Sequence, residues 1–401
     1  MALPRVRPCY VMNPVLTRLG GYPLAAFQDL ARQMRAEDQP CFDFSIGDPV
    51  EPTPSFIRQA LIAAVPEVSQ YPTAAGLPQL RQAIAGWVTR RFGVQVDPDT
   101  EVLPTAGSKE AIFHAPLALL DATSSRRATI WGSPGYQPYE RGSLFAGGES
   151  DRVDLSPDDG WRLDLAALGA QRLDRAFIAW LNYPHNPTGA VVDDVYLREQ
   201  VATARAHGIV LGSDECYIDV YPPGGPLPPS VLDVADGDLS GLLVAFSLSK
   251  RSGMTGYRCG ALVGDADLIA AQRMMRPNIG TGSPEFVQIA AAAAWTEDTH
   301  AAERREVFEA KRQVVLGFCD EVGLTVSGSD ATFYVWLEAP GGDDVAYVEA
   351  LLAQRIIASP GSAFGPAGAG WIRLALVPDV EGCRTAVEVW RAAIEAGTLR
   401  G

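Results

Sequence analysis

The sequence predicts an α/β fold, with a mostly parallel central sheet flanked by helices and a smaller α+β domain attached. Apolar, strand-like runs alternate with helical spacing over roughly residues 100–265, the pattern of a parallel sheet with helices on both faces. After Asp265 the pattern changes to helices near 266–275, 283–295 and 299–322, then short strands interleaved with two more helices. The 401 residues suffice for two hydrophobic cores. The expected division is 1–49 as an N-terminal arm with part of the small domain, 50–285 as a large ligand-binding domain, and 286–401 as the small C-terminal domain.

Composition narrows the function class. Hydrophobic residues make up 47% and charged residues 20%, as in soluble globular proteins. The formal net charge of -15 and the lack of any long basic run argue against a nucleic-acid partner. Cys9, Cys41, Cys216, Cys259, Cys319 and Cys383 form no Cys-x-x-Cys pair, and the four histidines add no metal-ligand spacing, so no metal is expected. Isolated cysteines fit a reducing compartment, hence a cytoplasmic protein. No apolar stretch follows Arg5 and Arg7, and the alanine-rich run 289–295 is too short to cross a bilayer, so neither leader nor membrane anchor is expected.

In chain order, residues 1–23 carry four prolines and read as an extended arm, a hint of contact with a neighbouring subunit. Leu24, Phe27, Leu30 and Met34 have helical spacing. Phe42–Ile46 reads as a strand, and the Pro/Gly-dense segment 47–54 as a loop whose Gly47 lets a ligand approach the backbone. Tyr71 stands in a loop before a helix that Pro78 starts without loss of a hydrogen bond.

Val102-Leu-Pro-Thr-Ala-Gly107-Ser108-Lys109 is strand, glycine turn, helix. The free N–H groups and dipole at that helix start suit a phosphate, and Ser108 adds a hydroxyl; the plainer alternative is a serine N-cap. Ala128–Trp131 is a short strand whose turn carries Tyr136, placed to stack on a flat ring or to cap a core edge. The apolar run 175–181 ends in Asn182-Tyr-Pro-His-Asn186-Pro-Thr-Gly189, a loop fixed by two prolines and offering the Asn186 amide. A helix over 193–207 follows, then a strand ending in Ser213-Asp214-Glu-Cys-Tyr217. A strand-end aspartate among apolar neighbours needs a cation or a donor. Residues 221–240, rich in Pro and Gly, read as a surface excursion. Strands are expected near 244–247, 260–263, 332–337, 356–358 and 371–376, and helices near 343–353 and 380–396. Arg373, inside an apolar strand, should meet an acid from the protein or from a ligand.

The chemistry centres on Ser247-Leu-Ser-Lys250, delivered by the apolar run 242–246, with Arg258 eight residues further on. Lysine sheds its charge when desolvated and forms a Schiff base with an aldehyde. Serine and arginine bind phosphate. An aldehyde and a phosphate on one molecule point to pyridoxal phosphate; a solvated lysine in a polar loop is the alternative from this motif alone. Asn186, Asp214 and Lys250 all fall at predicted strand ends, where ligands of such sheets bind.

With these motifs in this order, the chain resembles the fold-type I pyridoxal-phosphate enzymes of the class I/II aminotransferase family nearly end to end. The resemblance implies that Lys250 is the Schiff-base lysine, that Asp214 partners the pyridinium nitrogen, and that Asn186 and Tyr217 donate to the ring's phenolic oxygen. It assigns phosphate contacts to Ser108, Ser247 and Arg258, with Gly107 and Lys109 in the same cradle, and ring stacking to Tyr136. Arg373, with Gly47 and Asn186 beside it, would hold the substrate α-carboxylate. Tyr71 would reach the phosphate of a second subunit, which implies a homodimer with shared sites.

Within the family the chain is most similar to bacterial succinyldiaminopimelate aminotransferases. Asn13–Leu24, Gly107–Phe113, Ser283–Ala291, Phe333–Leu337 and Pro360–Gly365 carry that likeness. Leu24 stands where that group has phenylalanine, and the 366–370 loop is shorter. The expected partners are an amino acid and a 2-oxo acid. Lys109, Arg18, Arg35 and Arg276 are the candidates for a distal substrate carboxylate, Lys109 foremost. An aminotransferase of another amino acid and a lyase built on the same residues are the alternatives. A pyridoxal-phosphate-binding regulator would need a basic DNA-binding domain that this chain lacks.

Overall fold

The computed structural model describes residues 13–19, 29–30, 32–34, 36 and 40–401. Most of the arm, most of the helix expected over 24–34, and Arg35 lie outside the described residues.

Twelve strands are described: β1 (Phe42–Asp43), β2 (Val102–Thr105), β3 (Ala128–Ser133), β4 (Glu149–Asp154), β5 (Ala176–Leu181), β6 (Val210–Asp214), β7 (Leu242–Ser247), β8 (Gly260–Gly264), β9 (Tyr334–Glu338), β10 (Ile356–Ile357), β11 (Ser359–Pro360) and β12 (Trp371–Ala375). Seven form the central sheet in the order β2-β8-β7-β6-β5-β3-β4. All its pairings are parallel except those of β8, which runs against both β7 and β2.

Alternation along buried strands makes two cores. In β7, Leu242, Val244 and Phe246 enter one, and Leu243 and Ala245 the other. Helices Pro78–Phe92, Asp194–Ala206 and Glu285–Thr296 cover the first face. Helices Ser108–Leu119 and Ala266–Ile279 cover the second. The third core belongs to the smaller unit, where β11, β12 and β9 pair antiparallel and β1 joins β10.

The 24-residue helix Thr299–Val322 follows, as expected, and Lys311 sits fully buried on it. Its ammonium pairs with Glu51 and donates to the carbonyls of Leu376 and Val377 at 3.2 and 3.3 Å. The Gly47–Pro54 loop is thereby fixed to this helix and to the end of β12. Thr53 adds a 2.6 Å hydrogen bond to the Gly253 carbonyl, beyond Lys250.

Three expectations change. The 42–46 strand shrinks to two residues, because it pairs only with the two-residue β10. The 221–240 segment is not all surface: Val231 and Leu232 are fully buried. The buried Glu215 carboxylate accepts the Val231 N–H at 3.0 Å, which satisfies the backbone and lets the apolar pair turn inward. β4 escaped notice because Glu-Ser-Asp-Arg-Val-Asp has no apolar alternation. It is an edge strand, held in part by ion pairs of Asp151 with Arg172 and Glu149 with Arg127.

Candidate active site

The sheet topology explains why scattered residues meet. β3, β5, β6 and β7 are adjacent and parallel, so the loops carrying Tyr136, Asn186, Asp214 and Lys250 leave one edge of the sheet. β8 runs the opposite way, so Arg258, just ahead of its first residue, lies on that edge too. β2 reverses again, and its end delivers Gly107 and Ser108 there. The register agrees, with Gly260 opposite both Ser247 and Thr105.

A cavity of about 650 Å3 lies along this edge. Among the predicted residues, Gly47, Ser108, Lys109, Tyr136, Asn186, Asp214, Tyr217, Ser247, Lys250, Arg258 and Arg373 line it. Gly107 stands directly behind the Arg258 guanidinium: its φ is +84°, and a Cβ there would come within 2.8 Å of Nη2. Tyr71 lies outside the cavity and is 99% exposed.

Lys250 is the third residue of the one-turn helix Leu248–Arg251, whose start is capped by the Ser247 hydroxyl accepting the Ser249 N–H at 3.1 Å. Its ammonium donates to the Gly47 carbonyl and faces the Phe333 ring. Desolvation lowers its pKa, opposed by Cys216 and Asp48 and helped by Arg373 and Arg258. A lysine so placed is closer to the neutral amine that acts as nucleophile and base.

Asp214 ends β6 and is buried. Its Oδ2 accepts the Tyr139 hydroxyl at 2.8 Å and its Oδ1 the Cys216 N–H at 3.3 Å. Both partners are neutral. Burial raises its pKa to about 6, with the Tyr139 and Cys216 hydrogen bonds acting against the rise. A buried carboxylate facing a cavity with neutral partners is suited to a cationic ligand group.

Asn186 is held by its own N–H, which donates to the Asn182 side chain at 3.0 Å, while the Asn182 amide donates to the Asp214 carbonyl at 2.7 Å. The Tyr217 and Tyr334 hydroxyls share a 2.7 Å hydrogen bond. Ser108 is the first residue of its helix, and Gly107 occupies the cap position with no side-chain cap bond, so the serine N-cap alternative does not hold. Arg258 adopts φ +58°, which costs a non-glycine residue roughly 1–2 kcal/mol. Its guanidinium donates to the carbonyls of Thr255 and Ala106, both at 3.0 Å.

Arg373 comes from the smaller unit and is only 3% exposed. It lies between the Tyr334 and Phe364 rings, 4.5 and 4.3 Å from their centroids. It donates to Asn186 Oδ1 at 3.0 Å and to the Ser45 carbonyl at 2.7 Å, and its Nε has no hydrogen-bond partner. Both acceptors are neutral, so a buried guanidinium is left ready for an acid.

The distal-carboxylate candidates separate. Lys109 lines the cavity. Arg276 does not: it is buried with its Nε 3.1 Å from Glu110 Oε1, so its charge is already matched. Arg18 sits on the exposed helix Pro14–Leu19, away from the cavity lining. The sequence analysis names none of Tyr334, Phe364 and Tyr139 as site residues; the runs Phe333–Leu337 and Pro360–Gly365 contained the first two, and Tyr139 stood close after Tyr136. The five described cysteines are unpaired, and no cluster fit for a metal occurs among the described residues. Nor is any described helix long and apolar enough to cross a membrane.

A fold of this topology, with a desolvated strand-end lysine, a buried aspartate and a serine–arginine cradle at a helix start, defines a fold-type I pyridoxal-phosphate enzyme. The chain belongs to the aminotransferase class I and II family, whose model matches residues 39–389. It is 35% identical to the LL-diaminopimelate aminotransferase of Syntrophobacter fumaroxidans, over 93% of this chain and 97% of that one. Identity to the enzyme of the same name from Nitratidesulfovibrio vulgaris is 33%, over 93% and 96%. An aminotransferase structure from Neisseria meningitidis superposes with a TM-score of 0.87 at 33% identity, covering 95% of this chain and all (100%) of the other. A probable N-succinyldiaminopimelate aminotransferase from Thermus thermophilus gives 0.83 at 28% identity, covering 92% and 100%.

Pyridoxal phosphate is the cofactor, and the cavity fits it. The Ser108 helix start, Ser247 and Arg258 offer donors for a phosphate, Asp214 offers a carboxylate for a ring cation, and Lys250 offers an amine. When bound, the cofactor supplies an electron sink for chemistry at the substrate Cα.

The raised pKa of Asp214 has a consequence for stability. Its folded value, about 6, exceeds the ordinary 3.8. Its contribution is therefore fully present below pH 4 and is lost as pH rises through 6, on the order of 3 kcal/mol. Glu215, raised by burial to about 7, acts with the same sign. Buried His185, held down to about 3, acts oppositely, losing stability as pH falls below 6.5. Subtracting the denaturation profile of cofactor-free Asp214→Asn from that of the cofactor-free wild type isolates the Asp214 contribution. A difference that is flat from pH 4 to 7 would refute the assignment.

Proposed function

We propose that this aminotransferase takes the amino group from a diaminopimelate-class diacid and passes it to a 2-oxo acid, with 2-oxoglutarate and glutamate as the second pair. The single observation that carries the reaction type is Arg373: a buried guanidinium with neutral acceptors and an orphaned Nε, facing the cavity that holds Lys250 and Asp214. It suits an α-carboxylate and so fixes which Cα bond meets the cofactor. Lys250 Nζ then takes and returns the proton at the substrate Cα, general acid–base work worth roughly 10²–10⁴-fold. Asp214 keeps a ring cation charged, Asn186 and Tyr217 hold the ring, Tyr136 stacks on it, and Gly47 leaves room for the substrate.

The name carried by the Syntrophobacter and Nitratidesulfovibrio relatives supports LL-diaminopimelate as the donor. N-succinyl-LL-diaminopimelate is the second reading. It is favoured by the sequence likeness at Asn13–Leu24 and 360–365, and by the name of the Thermus neighbour. We assign Tyr71 to the site of a second subunit, making the enzyme a homodimer, and place it in the cytoplasm.

The purified holoenzyme is mixed with each donor in the absence of any 2-oxo acid. One equivalent of 2-oxo product per subunit, without ammonia, is expected from the diaminopimelate donor and from glutamate. Ammonia released over many turnovers would mean a lyase. A response to glutamate alone would retain the aminotransferase and discard the diaminopimelate donor.

Lys109 is assigned to the distal carboxylate. Lys109→Ala should raise KM for the diacid donor at least ~10-fold more than KM for alanine, the effect of removing one charge-assisted hydrogen bond. Equal effects on both donors would refute the assignment.

A further inference from the structure

Behind the cavity wall, Tyr139 lies on helix Pro138–Phe145, 2% exposed, with its ring stacked on Trp180 at 5.4 Å and 18°. It does not line the cavity. Its hydroxyl nevertheless reaches forward to Asp214 Oδ2 at 2.8 Å, the shorter of the two hydrogen bonds to that carboxylate. Trp180 comes from β5 and Asp214 from the neighbouring β6, so the stacked ring ties the hydroxyl to the same rigid sheet that carries the acid.

We propose that Tyr139 is a positioning residue for the reaction: acting only through Asp214, its hydroxyl fixes the plane of that carboxylate and favours its ionised form toward the cofactor ring. This rests on the cofactor role assigned to Asp214. A tyrosine suits the task. It gives one proton to one oxygen, brings no charge of its own to compete with a ring cation, and has a ring large enough to be locked by packing. Deeply buried and beside a carboxylate, the hydroxyl holds its proton, its pKa being driven well above 10 by desolvation and by Asp214. The tyrosine is therefore the donor in this bond and Asp214 Oδ2 the acceptor. The other titratable groups facing this pair are Tyr136 and Cys216, the latter pushed up to about 12 and so neutral. The stacked ring also restricts the carboxylate from rotating when the cavity is filled.

The test is a double-mutant cycle read by the dissociation constant of pyridoxal phosphate, measured by equilibrium dialysis on Tyr139→Phe, Asp214→Asn and the double variant. Tyr139→Phe keeps the ring and the stack and removes one hydrogen bond to a charged group, so Kd should rise ~10-fold or more. Its kcat should fall while KM for the amino donor stays near the wild-type value. In the Asp214→Asn background the same substitution should change Kd by less than about 2-fold, because the group it acts through is gone. Equal effects of Tyr139→Phe in both backgrounds would reduce the tyrosine to a packing residue and overturn the proposal. So would an unchanged Kd in the single variant. An Asp214→Asn variant that binds the cofactor as tightly as the wild type would overturn the role of Asp214 itself, and the proposal with it. None of these outcomes depends on which amino acid is the donor.

Discussion

Replacement of Lys250 by alanine should leave a folded protein that still takes up pyridoxal phosphate and turns over at least ~10⁴-fold more slowly. The side chain lines the cavity rather than a core and makes one hydrogen bond, to the Gly47 carbonyl. Its removal therefore costs little stability. Its chemistry cannot be replaced, because no other amine stands at the end of β7. The Arg258 guanidinium on the same edge is a planar fork of donors with no acceptor, so it cannot serve as base or nucleophile. Borohydride treatment of the wild-type holoenzyme followed by peptide mapping should place the reduced cofactor on Lys250, and the variant should give no such adduct. Near-normal kcat in Lys250→Ala, or an adduct on Lys109, would displace Lys250 from the centre of the reaction.

Arg373→Ala should lower kcat/KM for every α-amino acid by about 10²–10⁴-fold, the worth of a two-point, charge-assisted grip on a carboxylate in a desolvated site. Arg373→Lys should recover little. Lysine presents a point charge where the structure holds a planar fork between two rings, donating in separate directions to Asn186 and Ser45. The discriminating control is an amine without an α-carboxylate, such as 4-aminobutyrate, measured in the single half-reaction. The variant should handle it no worse than the wild type does. If Arg373→Ala harms both classes equally, the residue serves packing between β12, Tyr334 and Phe364 rather than substrate binding. Circular dichroism at matched pH checks that the fold survives, since the variant strips a donor from two buried acceptors.

Reading the chain alone located most strand ends correctly, because strands buried on both faces are nearly continuous apolar runs. Ala176–Leu181 and Leu242–Ser247 end at polar loops that were plain in the sequence. The site residues at those ends shared the visibility of their strands. The edge strand β4 had no such run, and two-residue β1 depends on a distant partner, Phe42 pairing with Ile356. Tyr139 was visible only as a neighbour of Tyr136; nothing local says that its hydroxyl turns toward residue 214 rather than toward solvent. The burial of Val231 and Leu232 was hidden by the prolines and glycines around them, since it depends on the Glu215 carboxylate, 16 residues earlier, accepting the Val231 N–H.

The sequence by itself determined the alternation of strands and helices, and the chemical types of the residues that follow each strand. These are local properties, set by hydrophobic periodicity and turn chemistry. Only the tertiary structure decided which ends share an edge. The reversed direction of β8 brings Arg258 to the lysine, the packing of β12 turns Arg373 toward Asn186, and the Lys311–Glu51 pair holds the Gly47 loop in reach of Lys250. Those choices join residues as much as 260 positions apart. A sequence specifies such pairings only through the summed free energy of the whole packed chain, not through any window of it.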